Sequence, residues 1–424
     1  QGVDHNRCLP NRLASDLRMM RRLTKVSALA ALAALVLAGC QTVKQPTTQT
    51  TPAGPSATPV AEGKPVPGFT PANFGRLPVS DAPDWDNARK AFRRSCASRS
   101  FASSPLWSTA CENARAAVSA PEFFQQNFDL WAVSSDQKAN GATVSSDTTG
   151  LMTGYYEPIL DASPTRTSHY TWPVLATPPD LIDVELSSLY PELKGKRIRG
   201  KISGRKLIPY GSRSSIDQRT DLYPYAIAWL ADPIDQLFLQ IQGSGQLRVK
   251  GVGLIRVFYD DQNGYPYRAV ARWLIDRNQM TAHEASMQSI RAWAKAHPDQ
   301  VPQLLAYNPS YVFFRRAPVT DLSVGPQGGQ GVPLTPGASV AIDRHVWVYG
   351  TPFFVSVSQQ NPDLHFNRPV IAQDTGGAIR GIIRFDYFWG SGNQAGENAG
   401  RQKSTVTAWV MVPKGHSPAE VLRK

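Results

Sequence analysis

The chain has 424 residues, of which 42% are hydrophobic and 18% charged, with a formal net charge of +12 and four cysteines. This is enough apolar material for one or two globular domains and excludes a wholly disordered chain. The charge alone names no partner: a cytosolic excess of this size would suit nucleic acid, and an exported one suits anionic wall polymer or lipid head groups.

Residues 1–40 hold +4 of the charge, leaving +8 from residue 41 onward. Met20-Arg21-Arg22 and Lys25 precede a short apolar run, 26–37, that ends in Leu37-Ala38-Gly39-Cys40. A basic start, an apolar middle too short to span a bilayer and a small-residue end read as a signal peptide, with 1–18 lying upstream of its true start. The Leu-Ala-Gly-Cys pattern resembles a bacterial lipobox, which implies lipidation of Cys40; Gln41 behind it implies sorting to the outer membrane. Residues 41–68 are Pro, Thr, Gly and Ala with almost no large apolar side chain, the composition of a flexible tether. In an oxidising compartment the remaining pair, Cys96 and Cys111, forms either a staple between adjacent helices or two buried thiols.

The spacing of Ala88, Ala91, Phe92, Ser95 and Cys96 predicts an amphipathic helix over 85–98. Pro105 ahead of Leu106, Trp107, Ala110, Cys111 and Ala114 predicts a second, and Pro121 with Phe123, Phe124 and Phe128 a third. From Gly150 the texture turns to short extended runs, beginning with Leu151-Met152-Thr153-Gly154-Tyr155-Tyr156-Glu157-Pro158. Residues 176–221 read as solvated loops or as a surface for carbohydrate or acidic polymer. The run 237–245 alternates before Gly243-Ser244-Gly245 and predicts a strand with Gln240, Gln242 and Ser244 on one face, suited to sugar hydroxyls and acetamides. Thr281 and Glu284 form a capping box for a helix with Met287, Ile290, Trp293 and Ala294 inward. Short strands then recur at 339–342, 346–349, 353–357, 369–373, 382–389 and 406–412, the pattern of a compact β-barrel.

Several chemistries drop out. His283-Glu284 has Met287 where a zinc motif needs its second histidine, and no Cys/His cluster has ligand spacing, so no metal is expected. The Gly-Ser-Gly segments at 243–245 and 390–392 lack the spacing of a nucleophile elbow, and glycines 390, 392 and 396 miss that of a dinucleotide loop. Carboxylates remain: Asp343, Asp374 and Asp386, all on the C-terminal strands. Asp386 sits in the apolar run Ile382-Ile383-Arg384-Phe385-Asp386-Tyr387-Phe388-Trp389, where desolvation favours its protonated form and suits it to general acid work. Arg384, two residues earlier, is expected on the same face and opposes that shift.

Tyr155-Tyr156-Glu157-Pro158, Gln240-Ile241-Gln242-Gly243-Ser244-Gly245, Asn308-Pro309-Ser310-Tyr311-Val312-Phe313-Phe314 and Gln373-Asp374-Thr375-Gly376-Gly377-Ala378-Ile379-Arg380-Gly381 together resemble the membrane-bound lytic murein transglycosylase A family over roughly 80–415. The resemblance implies a mainly β fold with some α. A double-psi β-barrel would be built from 81–157 and 276–424, including a 3D domain at about 335–415. A smaller β-domain inserted at 158–275 would leave a glycan groove between the two, behind a leader at 1–40 and a tether at 41–80. It implies cleavage of the β-1,4 bond between N-acetylmuramic acid and N-acetylglucosamine without water, leaving 1,6-anhydromuramoyl ends. Asp386 would be the single acid/base, Asp374 its orienting partner, and Gln242, Ser244, Tyr155 and Asp343 weaker glycan-binding candidates. Asn393 stands where the family pattern leads one to expect an acid. No cofactor and no nucleic acid are implied; the partners would be peptidoglycan strands, the outer membrane through Cys40, and a cell-wall synthesis complex. The rival readings are a lysozyme-like hydrolase and a non-catalytic wall-binding lipoprotein.

Overall fold

The computed structural model describes residues 63–79, 84–139, 141–319 and 321–423. Cys40, the leader and residues 41–62 of the tether lie outside them. The tether is shorter than expected, because 66–72 form a strand, β1 (Val66–Ala72), antiparallel to β2 (Phe128–Ala139). Its prolines sit on the edge of the sheet, where a missing N–H breaks no ladder.

Four helices follow β1: α1 (Trp85–Ser95), α2 (Arg99–Ala102), α3 (Ser108–Asn113) and α4 (Ala120–Asn127). Asp84 caps α1 by accepting from Asn87 N–H, and Ala88, Ala91, Phe92 and Ser95 form its buried stripe as the periodicity predicts. Ser119 and Glu122 close a capping box on α4. Phe128, assigned above to this helix, instead opens β2, and its ring packs edge-on to Phe92 and Phe123. Cys96 and Cys111 are disulfide-bonded, joining the end of α1 to α3.

After the hairpin partner β3 (Ala142–Asp147) comes β4 (Gly150–Glu157), and then a middle region with its own sheets. This region contains β5 (Ile159–Ala162), β6 (Trp172–Leu175), β7 (Ile182–Asp183), β8 (Arg199–Ser203), β9 (Lys206–Pro209), α5 (Arg213–Asp217), β10 (Ala226–Leu230), α6 (Pro233–Gln242), β11 (Ser244–Val249) and β12 (Gly253–Gln262). It continues through α7 (Val270–Ile275), α8 (Met287–Ala296), α9 (Val301–Tyr307) and β13 (Val312–Pro318). Since β13 pairs with β12, these sheets draw on residues up to 318, beyond the boundary at 275.

The expected strand at 237–245 is a helix as far as Gln242. Ile234, Leu237, Phe238 and Ile241 recur at helical spacing behind the Asp232 cap and Pro233, and Gly243 ends the helix at φ 76°. Only Ser244 onward is strand. The Thr281–Glu284 box forms, but it closes a turn; α8 starts later, capped by Ser286 and Ser289.

The rest of the chain returns to the first sheet as β14 (Ser339–Ile342), β15 (Pro352–Gln359), β16 (Leu364–Asp374), β17 (Arg384–Ser391), α10 (Asn393–Arg401) and β18 (Lys403–Pro413). The segment 346–349 is a turn, since Val346 and Trp347 N–H both go to Asp343 C=O, and Trp347 is anchored in the core by donating from Nε1 to Ile382 C=O at 2.9 Å. The lateral order β18-β15-β16-β14-β17-β4, closed by β4 pairing with β18, is a six-stranded barrel. Met152, Val340, Ile342, Val370, Phe385 and Tyr387 fill its interior.

A buried ion pair ties the barrel to the middle sheets. Glu157, at the end of β4 and fully buried, accepts from Arg256 of β12 at 2.6 and 3.0 Å, from Gln246 at 2.8 Å and from Ser391 at 2.7 Å. Arg256 also donates to the carbonyls of Val324 and Gly325. Arg256→Ala leaves Glu157 buried without its cation and is expected to destabilise the fold by about 3–5 kcal/mol. Thermal or urea unfolding measures this, and Glu157→Gln combined with Arg256→Met is expected to recover much of the loss.

Candidate active site

Asp386 and Asp374 belong to one lateral row on the barrel wall. Asp386 pairs with Thr153 of β4 on one side and Ala341 of β14 on the other, and Ala341 pairs in turn with Asp374 of β16. Residues paired across neighbouring strands project to the same face. The β14–β16 ladder slips between Val340 and Ala341: Val340 pairs with Ala372, but Ala341 pairs with Asp374. Gln373 is the extra residue. It stays on the outer face with Ser339 and Ile371, fully buried beneath α1, donating to Ala91 C=O and Ser95 Oγ and accepting from Ser339 Oγ. In unbroken alternation Asp374 would face the core with Val370 and Ala372; the extra residue brings it to the outer face instead. Two strand spacings, about 10 Å, then separate the backbones of the two aspartates, with only the methyl group of Ala341 between.

The next row supplies the low-dielectric surroundings. Two residues beyond Thr153 and Asp386 lie Tyr155 and Phe388, themselves paired, with ring centroids 5.2 Å apart. With Leu334, Ala341 and Ile379 they form an apolar cluster beneath the carboxylates. Burial pushes Asp386 up to about 6. Thr153 Oγ1, donating to its Oδ1 at 2.6 Å, and the Arg384 charge pull it down, and the Asp374 charge pushes it up. Arg384 meets Asp386 through Thr153, donating from Nη2 to that hydroxyl at 2.9 Å while Nη1 donates to Phe385 C=O. Desolvation therefore outweighs the arginine. Among the described residues nothing donates to Oδ2 of Asp386, which leaves that oxygen for a ligand.

Asp374 is also raised by burial, but three donors oppose the shift: Tyr155 Oη, Gly329 N–H and Thr375 N–H, each at 2.8 Å. Burial raises both carboxyls, but three donors favour the ionised form at Asp374 where a single hydroxyl does so at Asp386. Tyr155, expected against glycan, is buried and spends its hydroxyl on Asp374. Asp343 lies just past β14, buried, accepting from His345 and Gly381 N–H, with Arg380 at 3.6 Å; it holds the turn that follows Asp374.

The expected polar row on 237–245 does not form. Gln240 is buried and accepts from Arg213, Gln242 accepts from Tyr156 N–H at 3.1 Å, and Ser244 is buried at the start of β11. All three are internal fastenings of the middle region and β4. Asn393 is exposed at the start of α10. Thr153 and Gly329 were missed. Period-two alternation from Tyr155 places Thr153 on the same face, whereas nothing in the glycine-rich 325–337 segment marks Gly329 as a donor.

A family model described as the MltA specific insert domain matches 151–315, and a 3D domain model matches 338–412. The crystal structure of MltA from Neisseria gonorrhoeae is 32% identical, covers 87% of this chain and 99% of its own, and superposes with a TM-score of 0.70. Escherichia coli MltA, in a structure with bound chitohexaose, is 25% identical with a TM-score of 0.61 over 85% of this chain and 99% of its own. The Escherichia coli K12 protein named membrane-bound lytic murein transglycosylase A is 32% identical over 269 residues, 61% of this chain. The match spans 64% of that relative's length.

The raised Asp386 has a thermodynamic signature. A carboxyl with a folded-state value above its unfolded one gives stability that is fully present below about 3.8 and lost as pH rises through about 6. Asp386→Asn removes that loss. In urea unfolding it is expected to be more stable than wild type at pH 7, by on the order of 1–2 kcal/mol after allowance for partial exposure, with the advantage gone below about pH 4.

Proposed function

We propose that this chain, which belongs to the MltA family of lytic murein transglycosylases, cleaves the β-1,4 bond between N-acetylmuramic acid and N-acetylglucosamine in peptidoglycan. The observation that carries the assignment is the asymmetry of the two carboxyls, with Asp386 raised to about 6 and open at Oδ2, and Asp374 held by three donors. Asp386, protonated, gives its proton to the glycosidic oxygen as the bond from muramoyl C1 to that oxygen breaks. The resulting carboxylate takes the proton of the muramoyl C6 hydroxyl as that oxygen bonds to C1, which restores the acid and forms the 1,6-anhydro ring. The nucleophile belongs to the substrate, so no second catalytic carboxylate is needed and no water enters. Asp374, ionised, favours the protonated form of Asp386 and stabilises positive charge developing at C1. Thr153 positions Asp386 and relays the influence of Arg384.

Membrane association fits the family, whose members are named membrane-bound. The finer reading is a periplasmic enzyme held to the outer membrane by lipid on Cys40, with glycan strands as substrate and a wall-synthesis complex as the setting. The bound chitohexaose of the Escherichia coli relative supports a glycan ligand.

Mass spectrometry of sacculi digested by the purified protein tests this. Wild type is expected to release anhydromuramoyl products, lighter by one water than those of a hydrolase. Asp386→Asn is expected to lose activity by at least about 10²–10⁴-fold, the usual worth of a general acid. Hydrated reducing ends from wild type would make it a muramidase, and no product from either protein would favour a wall-binding role.

A further inference from the structure

A second concavity, of about 560 Å³, opens between the last turns of α1 and the α3 region. Lys90, Arg93 and Arg94 of α1 and Arg115 beyond α3 line it, against one acid, Glu112. The Cys96–Cys111 disulfide lies in its wall and fixes the two sides relative to each other. Arg94 is committed to the fold: it donates to Thr335, and the Asp321 charge acts on it. Lys90, Arg93 and Arg115 are exposed, and among the described residues none has a carboxylate within ion-pair distance. Basic residues in the last turn of α1 also complement its dipole. That accounts for Arg93 and Arg94, but not for Lys90 one turn earlier or Arg115 from a separate element. Cations from two elements, held around one hollow by a covalent bond, concentrate positive charge there and attract an anion.

We propose that this hollow binds the phosphate of an anionic lipid head group and docks the domain on the membrane surface. Two exposed guanidinium forks and an ammonium are the donors that phosphate oxygens take. The surface would be close at hand. On the Cys40 anchor reading, 25 residues, 41–65, separate the lipid from β1, and a Pro/Gly/Thr-rich composition of that length corresponds to an r.m.s. reach of only about 25–30 Å. The site is independent of Asp386 and of the glycan chemistry.

The test uses the full chain with Cys40→Ala, so that no acyl chain holds it to a vesicle. Its sedimentation is measured with phosphatidylcholine vesicles, with and without phosphatidylglycerol, and inorganic phosphate is titrated separately. Selective binding to the anionic vesicles, weakened by salt, is expected to fall by roughly 30-fold in Arg93→Ser/Arg115→Ser, with its melting temperature and lytic activity unchanged. The comparison variant Arg205→Ser/Lys206→Ser, on the exposed β8–β9 turn, is expected to bind nearly as wild type. An equal loss in both variants would reduce the effect to net charge and overturn the site. So would vesicle binding unaffected by the first variant, or binding of inorganic phosphate without binding of the vesicles.

Discussion

One extra residue in the β16 ladder, Gln373, decides which side of the barrel wall Asp374 faces. With the ladder in unbroken register, Asp374 would point into the packed interior beside Val370 and Ala372, where an acid has no place. The slip leaves Gln373 on the outer face, where α1 and Ser339 satisfy its amide, and turns Asp374 outward into the row that already holds Thr153, Asp386 and Ala341. The bulge is thus held by the helical layer through Gln373 and used by the site through Asp374. The middle strand of that row carries only alanine, so the two carboxyls share one space without a side chain between them.

Within that space the hydrogen bonds, rather than the sequence distance between the aspartates, set them apart. Both are desolvated by Tyr155, Phe388, Leu334 and Ile379. Asp374 receives two backbone N–H groups and a phenol, whereas Asp386 receives a single hydroxyl already polarised by Arg384. Burial therefore wins at Asp386, which titrates near 6. The donor at Gly329 comes from the segment whose earlier carbonyls, at Val324 and Gly325, accept from Arg256. The buried Glu157–Arg256 pair that joins the middle sheets to the barrel is therefore also a fastening of the loop that orients Asp374.

Much of this was legible in the sequence, and the parts that were not share a cause. Five of the six C-terminal strands were visible because short β-branched and aromatic runs bounded by glycine have few other uses. The sixth, at 346–349, has the same texture, but the N–H groups of Val346 and Trp347 are taken by the Asp343 carbonyl. Over 233–242 the alternation from Leu237 onward points to a strand, whereas from Asp232 the cap, the proline and the spacing are helical. Asp386 in an apolar run was readable as a raised acid. The pairing of Thr153 with Asp386, the bulge and the Gly329 donor are not, because they depend on partners distant in the chain, 233 residues away for Thr153 and Asp386, that a single strand does not display.

The account rests on Asp386 being the group that stays protonated. A ¹³C NMR titration of the folded protein labelled at aspartate carboxyls, with Asp386→Asn and Asp374→Asn to assign the signals, measures this directly. The account predicts a midpoint near 6 for Asp386, above that of Asp374, and a further rise in Thr153→Val, which loses the opposing hydroxyl. An Asp386 already ionised near its ordinary value of 3.8, or an Asp374 that is the last of the two to ionise, would contradict it.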